Sequence, residues 1–380
     1  MSSLKSFTRI PIKSLLKFRS VSQQWRNIID DPHLAHMHHP RCVEEPKILL
    51  PDHHTQNEKP IDVTVTNVGV FLNADLNLVA KFTKSVTCYL EDCCNGLLCL
   101  SKSYDDRFLV LFNPLRQQLL PLPPSTASPK LGSRKYGFWF DRPKNTYNIV
   151  VVAVFLRESV DEKPCYQLGA EVYTLGTSSW RPLSKGPPCR LFGKPIFACG
   201  ALHWEGPCKY NGDIGNIVSF DVRKEEFGLI SPPKYDCLGY LLDLGGNLAM
   251  VDHSAMAEYF NRHVDIWVMK EYEKKEWVKE YKIDPNSQIE RQYRHNVRVE
   301  VIGLCKLGQI LLRQNENLLS YNLKTGVLRN IPIPGFCPET DVLFYMVAYY
   351  QFLVFSQDND LRFLFFFLFC YLSRVKLFIN

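Results

Sequence analysis

Four places in this chain pair an aromatic residue with a large apolar one seven positions on, across a polar turn: Phe112 with Leu119, Tyr173 with Trp180, Phe220 with Phe227, and Tyr321 with Leu328. Val264-Asp-Ile-Trp267 is a looser fifth copy. Alternating apolar residues precede each, as in Ile217-Val-Ser-Phe220, and three run into proline, at Pro121, Pro182 and Pro332. Alternation is the strand period, and this offset across a turn sets two bulky side chains against each other on the arms of a hairpin. Successive anchors at Phe112, Tyr173, Phe220, Trp267 and Tyr321 lie 61, 47, 47 and 54 residues apart, which is the size of a propeller blade. A second element recurs between them, with Gly placed before a short apolar strand in Cys94-Asn-Gly-Leu-Leu-Cys99, Cys199-Gly-Ala-Leu-His-Trp204 and Leu244-Gly-Gly-Asn-Leu-Ala249. The pattern predicts a mainly β chain, with four strands per unit stacked radially into a β-propeller-like domain whose blades bury their faces against their neighbours.

Ahead of the β region, Ile10 to His33 carries two short helix signatures. Pro11 pre-sets φ for a helix start, and Leu15, Leu16, Phe18 and Val21 follow without Gly or internal Pro. Ser20 or Ser22 can cap a second helix, on which Val21, Trp25, Ile28 and Ile29 fall at i, i+4, i+7 and i+8 before Pro32 stops it. Helices this short are marginal in water, so their apolar faces bury either against the following domain or in a partner's groove. Periodicity leaves both open.

With 46% hydrophobic residues and 13% aromatics, the 380-residue chain is expected to hold a large packed domain beside a small one. Thirteen cysteines cannot all pair with one another, and they follow no regular framework, so reduced thiols in the cytoplasm or nucleus are expected. A net charge of +6 is modest for this length and does not call for nucleic acid. No continuous apolar run follows Lys5 and Arg9, so no signal peptide is indicated.

The segment Pro11-x-Lys-Ser-Leu-Leu-x-Phe-Arg-x-Val-Ser-x-x-Trp-Arg-x-x-Ile-x-Asp-Pro32 resembles the second half of a plant F-box from Ile10 to His38. The resemblance implies a receptor subunit of an SCF-type ubiquitin ligase. The helical unit would bind a Skp-family adaptor, and through it a cullin, by way of Pro11, Ile12, Leu15, Leu16, Val21 and Trp25. An F-box opens with a Leu-Pro pair and an acidic, Leu/Ile-rich helix; Met1-Ser-Ser-Leu-Lys-Ser-Phe-Thr8 offers neither, so the first helix is expected to be missing. The strings Cys94-Asn-Gly-Leu-Leu-Cys-Leu100, Leu111-Phe-Asn-Pro114, Val172-Tyr-Thr-Leu-Gly-Thr-Ser-Ser-Trp-Arg181, Gly200-Ala-Leu-His-Trp204 and Val218-Ser-Phe-Asp221 are similar to the kelch-related F-box-associated domain. The expected organisation is a partial F-box over 1–40, a linker or irregular lead-in strand over 41–60, the propeller-like domain over 61–340, and final strands with an atypical apolar tail over 341–380.

Few side chains suggest chemistry of their own. His33, His36, His38, His39, Cys42, His53 and His54 cluster, but their spacing fits no standard zinc module. Cys93, Cys94 and Cys99 have no neighbouring histidine to activate them and read as strand cysteines, and His203-Trp204 reads as a blade-packing pair. Arg291-Gln-Tyr-Arg-His-Asn-Val-Arg298 interleaves basic and aromatic residues, which a loop between blades explains without nucleic acid. The apolar tract over 361–372 has roughly half the length of a bilayer span. Phosphate loops, nucleophile elbows and His-Glu-x-x-His helices are absent from the sequence, so no catalytic, cofactor or metal residue is nominated. The expected function is therefore a non-catalytic adaptor that presents an unknown target protein, with neither nucleic acid nor membrane as partner. The alternative is a propeller binding module that has lost its ligase connection with the first F-box helix.

Overall fold

The computed structural model describes residues 7, 10, 12–29, 31 and 34 of the amino-terminal segment and, discontinuously, strands and turns between 47 and 347. The β region forms six four-stranded antiparallel sheets. Strands β1 (Lys47–Asp52), β2 (Ile61–Asn67) and β3 (Leu78–Lys84) belong to the first sheet. The second holds β4 (Cys88–Cys94), β5 (Leu97–Lys102), β6 (Asp105–Asn113) and β7 (Gln118–Pro121). The third holds β8 (Lys135–Asp141), β9 (Thr146–Arg157), β10 (Cys165–Thr174) and β11 (Arg181–Pro182). The fourth is β12 (Phe192–Ala198), β13 (Ala201–Glu205), β14 (Ile217–Asp221) and β15 (Glu226–Ile230). The fifth is β16 (Gly239–Leu244), β17 (Asn247–Asp252), β18 (Val264–Glu271) and β19 (Glu276–Ile283). The sixth is β20 (Val299–Cys305), β21 (Gln309–Gln314), β22 (Asn317–Asn322) and β23 (Leu328–Ile331). Finally β24 (Tyr345–Val347) joins the first sheet beside β1.

The leading strands β4, β8, β12, β16 and β20 approach one another in succession, and β24 approaches β20, so these strands form the inner ring of a β-propeller. The first sheet thus takes its inner strand from one end of the region and its other three from the opposite end. Lys47 pairs with Val347, Ile48 with Met346 and Leu49 with Tyr345. This pairing joins the two ends of the ring through backbone hydrogen bonds and gives β1 a ladder partner on each side. Strand β1 lies within 41–60, where the sequence offers a linker or lead-in strand, and β24 lies within 341–380. The tract over 361–372, the histidine-rich stretch and Arg291–Arg298 fall outside the described residues.

The hairpin pairs take the register that their spacing predicts. Phe112 sits opposite Leu119, Phe220 opposite Phe227, and Tyr321 opposite Leu328, each between the third and fourth strands of a sheet. Trp180 precedes β11 by one residue, yet its ring lies 5.4 Å from that of Tyr173. The Gly-containing element is the tight turn between first and second strands. Asn95 and Gly96 have φ of 47° and 83°, and Cys199 and Gly200 have 53° and 75°. Two consecutive left-handed residues make a type I′ turn, whose twist matches that of the strands it joins.

The core is distributed between blades. One buried cluster joins Leu97, Cys99 and Leu111 of the second sheet to Phe138, Tyr147, Ile149 and Val151 of the third. Another joins Trp139, Val150 and Val152 of the third to Leu202, Trp204, Val218 and Phe220 of the fourth. The fourth meets the fifth through Ala198, Ile217, Leu241, Leu248 and Met250, and the fifth meets the sixth through Ile266, Val268, Ile310 and Leu312. Strand β9 shows why its run is uninterruptedly apolar: Ile149 and Val151 face one neighbour while Val150 and Val152 face the other. At Gly137 a Cβ would lie 2.6 Å from Leu202 Cδ1 and 2.8 Å from the Trp204 ring, so glycine is what lets Trp204 pack onto β8.

The amino-terminal helices are α1 (Ile12–Phe18) and α2 (Gln23–Ile29). Ser22 is the cap of α2, its hydroxyl accepting the Trp25 N–H at 3.1 Å. A small core of Phe7, Leu15, Ile29 and Leu34 holds them together, with Ile10, Phe18, Trp25 and Ile28 packed around it.

Candidate functional site: the helical face and the inner rim

The residues assigned to adaptor contact divide by burial. Leu15 is fully buried in the small core, so its work is to hold α1 and α2 together. Val21, in the turn between the helices, is 63% exposed and available to a partner. Trp25 is half-buried, gripped edge-on by Phe7 and Phe18 at centroid distances of 5.2 and 5.4 Å. Ile12 and Leu16 fall within α1, and Pro11 lies outside the described residues. Phe7 is α-helical and buried, and its grip on Trp25 comes from the stretch ahead of Pro11.

The inner rim presents a different arrangement. Strand β4 bulges at Glu91, where the register with β5 shifts between Leu90 and Asp92. The Asp92 carboxylate accepts the Cys93 N–H through Oδ1 and the Phe138 N–H of β8 through Oδ2, both at 2.7 Å. From β12, Lys194 Nζ donates to the Leu90 carbonyl at 2.8 Å, reaching from the fourth sheet to the second. Lys135 Nζ of β8 donates to the Gly193 carbonyl at 3.2 Å. Burial raises the Asp92 carboxyl to about 7, against the pull of its two N–H donors and of Lys194. Burial likewise lowers the Lys194 amine to about 8, with the cation of Lys135 adding to the effect.

A free inner edge leaves backbone groups without a ladder partner, and neighbouring sheets supply one. Asp92 serves β8 in this way; Glu205 of β13 accepts the Leu241 N–H of β16; and the Tyr240 hydroxyl of β16 accepts the Val301 N–H of β20 while donating to the same residue's carbonyl. His203 ties sheets in a related manner. Its Nδ1 lies 3.2 Å from the Ile196 carbonyl and its Nε2 2.8 Å from the Tyr272 hydroxyl of the next sheet. Burial lowers this imidazole to about 4, so a neutral ring donates from Nδ1 and accepts at Nε2. It is a packing and hydrogen-bonding clamp, as His203-Trp204 suggests in sequence. Burial also pushes Cys93 up to about 12 and raises Cys94 and Cys99, so these thiols are poor nucleophiles.

The profile of the F-box associated beta propeller domain matches residues 49–359. The chain belongs to the F-box-associated β-propeller family. The F-box profile matches residues 3–36, starting ahead of Ile10. Among similar proteins of Arabidopsis thaliana, F-box protein CPR1 is 26% identical over 364 residues, covering 88% of this chain and 84% of that protein. F-box protein At3g07870 is 27% identical over 372 residues, covering 87% and 86%. The F-box/kelch-repeat protein At3g23880 is 25% identical over 289 residues, covering 70% and 73%. This chain thus carries an F-box followed by an F-box-associated β-propeller. Among the described residues, no helix is long and apolar enough to cross a membrane.

Proposed function

We propose that this chain is the substrate-receptor subunit of an SCF-type ubiquitin ligase, its helical unit docking a Skp-family adaptor and its propeller holding a target protein. The observation that carries the reading is the succession of an F-box match over 3–36 and the propeller match over 49–359 on one chain. Val21 exposes an apolar side chain in the turn between the helices, which suits a small hydrophobic contact. The chain's contribution to ubiquitin transfer would be proximity. A target lysine held near an activated thioester reacts as though intramolecularly, with no catalytic residue required from the receptor. Such a receptor would work in the cytoplasm or nucleus, and its target is a protein whose identity the propeller's variable loops determine.

The test is a pull-down of purified full-length protein with a Skp-family adaptor and cullin. Retention of both supports the reading. Failure to retain the adaptor, with the propeller folded, would favour a binding module without a ligase connection.

A further inference from the structure

The charge of this chain is unevenly spread. Residues 3–36, the span of the F-box match, hold Lys5, Arg9, Lys13, Lys17, Arg19 and Arg26 against Asp30 and Asp31, a net +4 of the whole chain's +6 in under a tenth of its length. Helices α1 and α2 contain no acidic residue, and each carries a cation in its last turn, Lys17 and Arg26. Both are solvent-exposed, and neither side chain has an ion-pair partner among the described residues. Val21 lies between them in sequence at 63% exposure. Its turn is closed by the Val21 N–H donating to the Phe18 carbonyl at 3.0 Å and by the Ser20 hydroxyl donating to the Lys17 carbonyl at 2.7 Å. From 17 to 29 the other exposed residues are Ser, Gln and Asn. The exposed residues of this tract thus combine two cations, one apolar side chain and no anion.

We propose that the helical unit selects its protein partner by charge: the partner's contact surface is acidic around a small apolar recess, and Lys17 and Arg26 steer it onto Val21. This rests on the receptor reading, with the Skp-family adaptor as the occupant, and adds the chemistry of the surface that it must present. Exposed cations at the rim of a contact act chiefly on the association rate, because they attract an oppositely charged partner before contact and are screened by salt. The field is local to the helical unit, since the rest of the chain sums to only +2. The observations favour a protein over other polyanions. Single-stranded nucleic acid is held by stacking on open aromatic faces, whereas Trp25 is gripped edge-on by Phe7 and Phe18 and no exposed aromatic lies between 17 and 29. A membrane surface takes up a whole apolar helix face, and Val21 is the one exposed apolar side chain of this tract.

The experiment is stopped-flow association of a labelled Skp-family adaptor with the full-length chain, from about 50 to about 500 mM salt. Lys17→Glu together with Arg26→Glu takes residues 3–36 from +4 to neutral. The association rate of this pair should fall about tenfold at low salt and come within about twofold of wild type at high salt, where screening removes the attraction. Lys224→Glu with Lys324→Glu, in exposed turns of the propeller, changes the net charge of the chain equally and should leave the rate unchanged. Equal slowing by both pairs, or a helical pair within about twofold of wild type at low salt, overturns the inference while adaptor binding itself upholds the receptor reading. If the helical Glu pair binds at no salt concentration, Lys17→Gln with Arg26→Gln decides, because it removes the cations without placing anions at the helix ends. That pair should associate about threefold more slowly than wild type at low salt, and an unchanged rate overturns the inference. A wild type that never binds the adaptor overturns both this inference and the receptor reading. A single-stranded oligonucleotide bound more tightly than the adaptor, and lost in the helical pair, overturns the inference in favour of a nucleic-acid face.

Discussion

Replacing Gly137 with alanine adds one methyl group at the contact between the third and fourth sheets. The new Cβ would stand 2.6 Å from Leu202 Cδ1 and 2.8 Å from Trp204 Cζ2, whereas carbon atoms in contact prefer about 3.5–4.0 Å. Neither neighbour can retreat into solvent, since Leu202 and Trp204 are both fully buried in the cluster with Trp139, Val150 and Phe220. Overpacking of this kind costs about 1–3 kcal/mol, which corresponds to about 2–5 °C in Tm for a domain of roughly 300 residues. Leu202→Ala alone should cost about 2–5 kcal/mol by leaving a cavity. The two changes share one space, so the double variant should be more stable than the sum of the single losses predicts, by about 1 kcal/mol. Urea unfolding of the four proteins, with fluorescence detection, gives the coupling directly. An unchanged midpoint for Gly137→Ala, or strict additivity in the cycle, would refute the claim that glycine is required for the approach of Trp204.

Three further outcomes follow from the same geometry. The folded Asp92 carboxyl titrates near 7 against an ordinary 3.8, so the native state binds the extra proton between those values and stability should fall as pH rises from about 4 to 7. The full shift corresponds to a loss on the order of 4 kcal/mol, and urea unfolding of Asp92→Asn should show a flatter dependence across that window; an identical slope would count against the assignment. His203→Ala should destabilise by about 2–4 kcal/mol, through lost packing and a Tyr272 hydroxyl deprived of its acceptor, and a thermal melt within about 1 °C of wild type would contradict the clamp. Leu15→Ala should loosen both helices, while Val21→Asp should leave their circular dichroism unchanged and weaken only partner binding; equal loss of helicity in both would show that Val21 is a core residue.

Much of the propeller is legible because its signals are local. The seven-residue offset reports which side chains face each other across a short turn, and Phe112–Leu119, Phe220–Phe227 and Tyr321–Leu328 occupy those positions. The rule weakens at Trp267, which pairs with Lys279, because a 3-10 turn over Tyr272–Lys274 and two register shifts lengthen that hairpin. Ring closure leaves no such trace. Strands β1 and β24 meet across nearly the whole domain with no turn between them to set the register. The inner rim is opaque for the same reason. Lys194 and Leu90 are 104 positions apart, and a lysine before a proline in a strand carries no mark of its long-range partner. In the helical unit, periodicity finds the apolar face but cannot separate Leu15, which is spent on the internal core, from Val21, which is exposed.

Docking of a Skp-family adaptor by the helical unit can be measured by a binding titration of labelled adaptor against the purified full-length chain and its Val21→Asp variant. The wild type should bind saturably with a dissociation constant on the order of micromolar or tighter, and the variant should lose at least about tenfold, the size expected for charging an apolar contact. Wild-type and variant proteins binding equally would contradict the assigned face, and a well-folded wild type with no measurable affinity would contradict the receptor function itself.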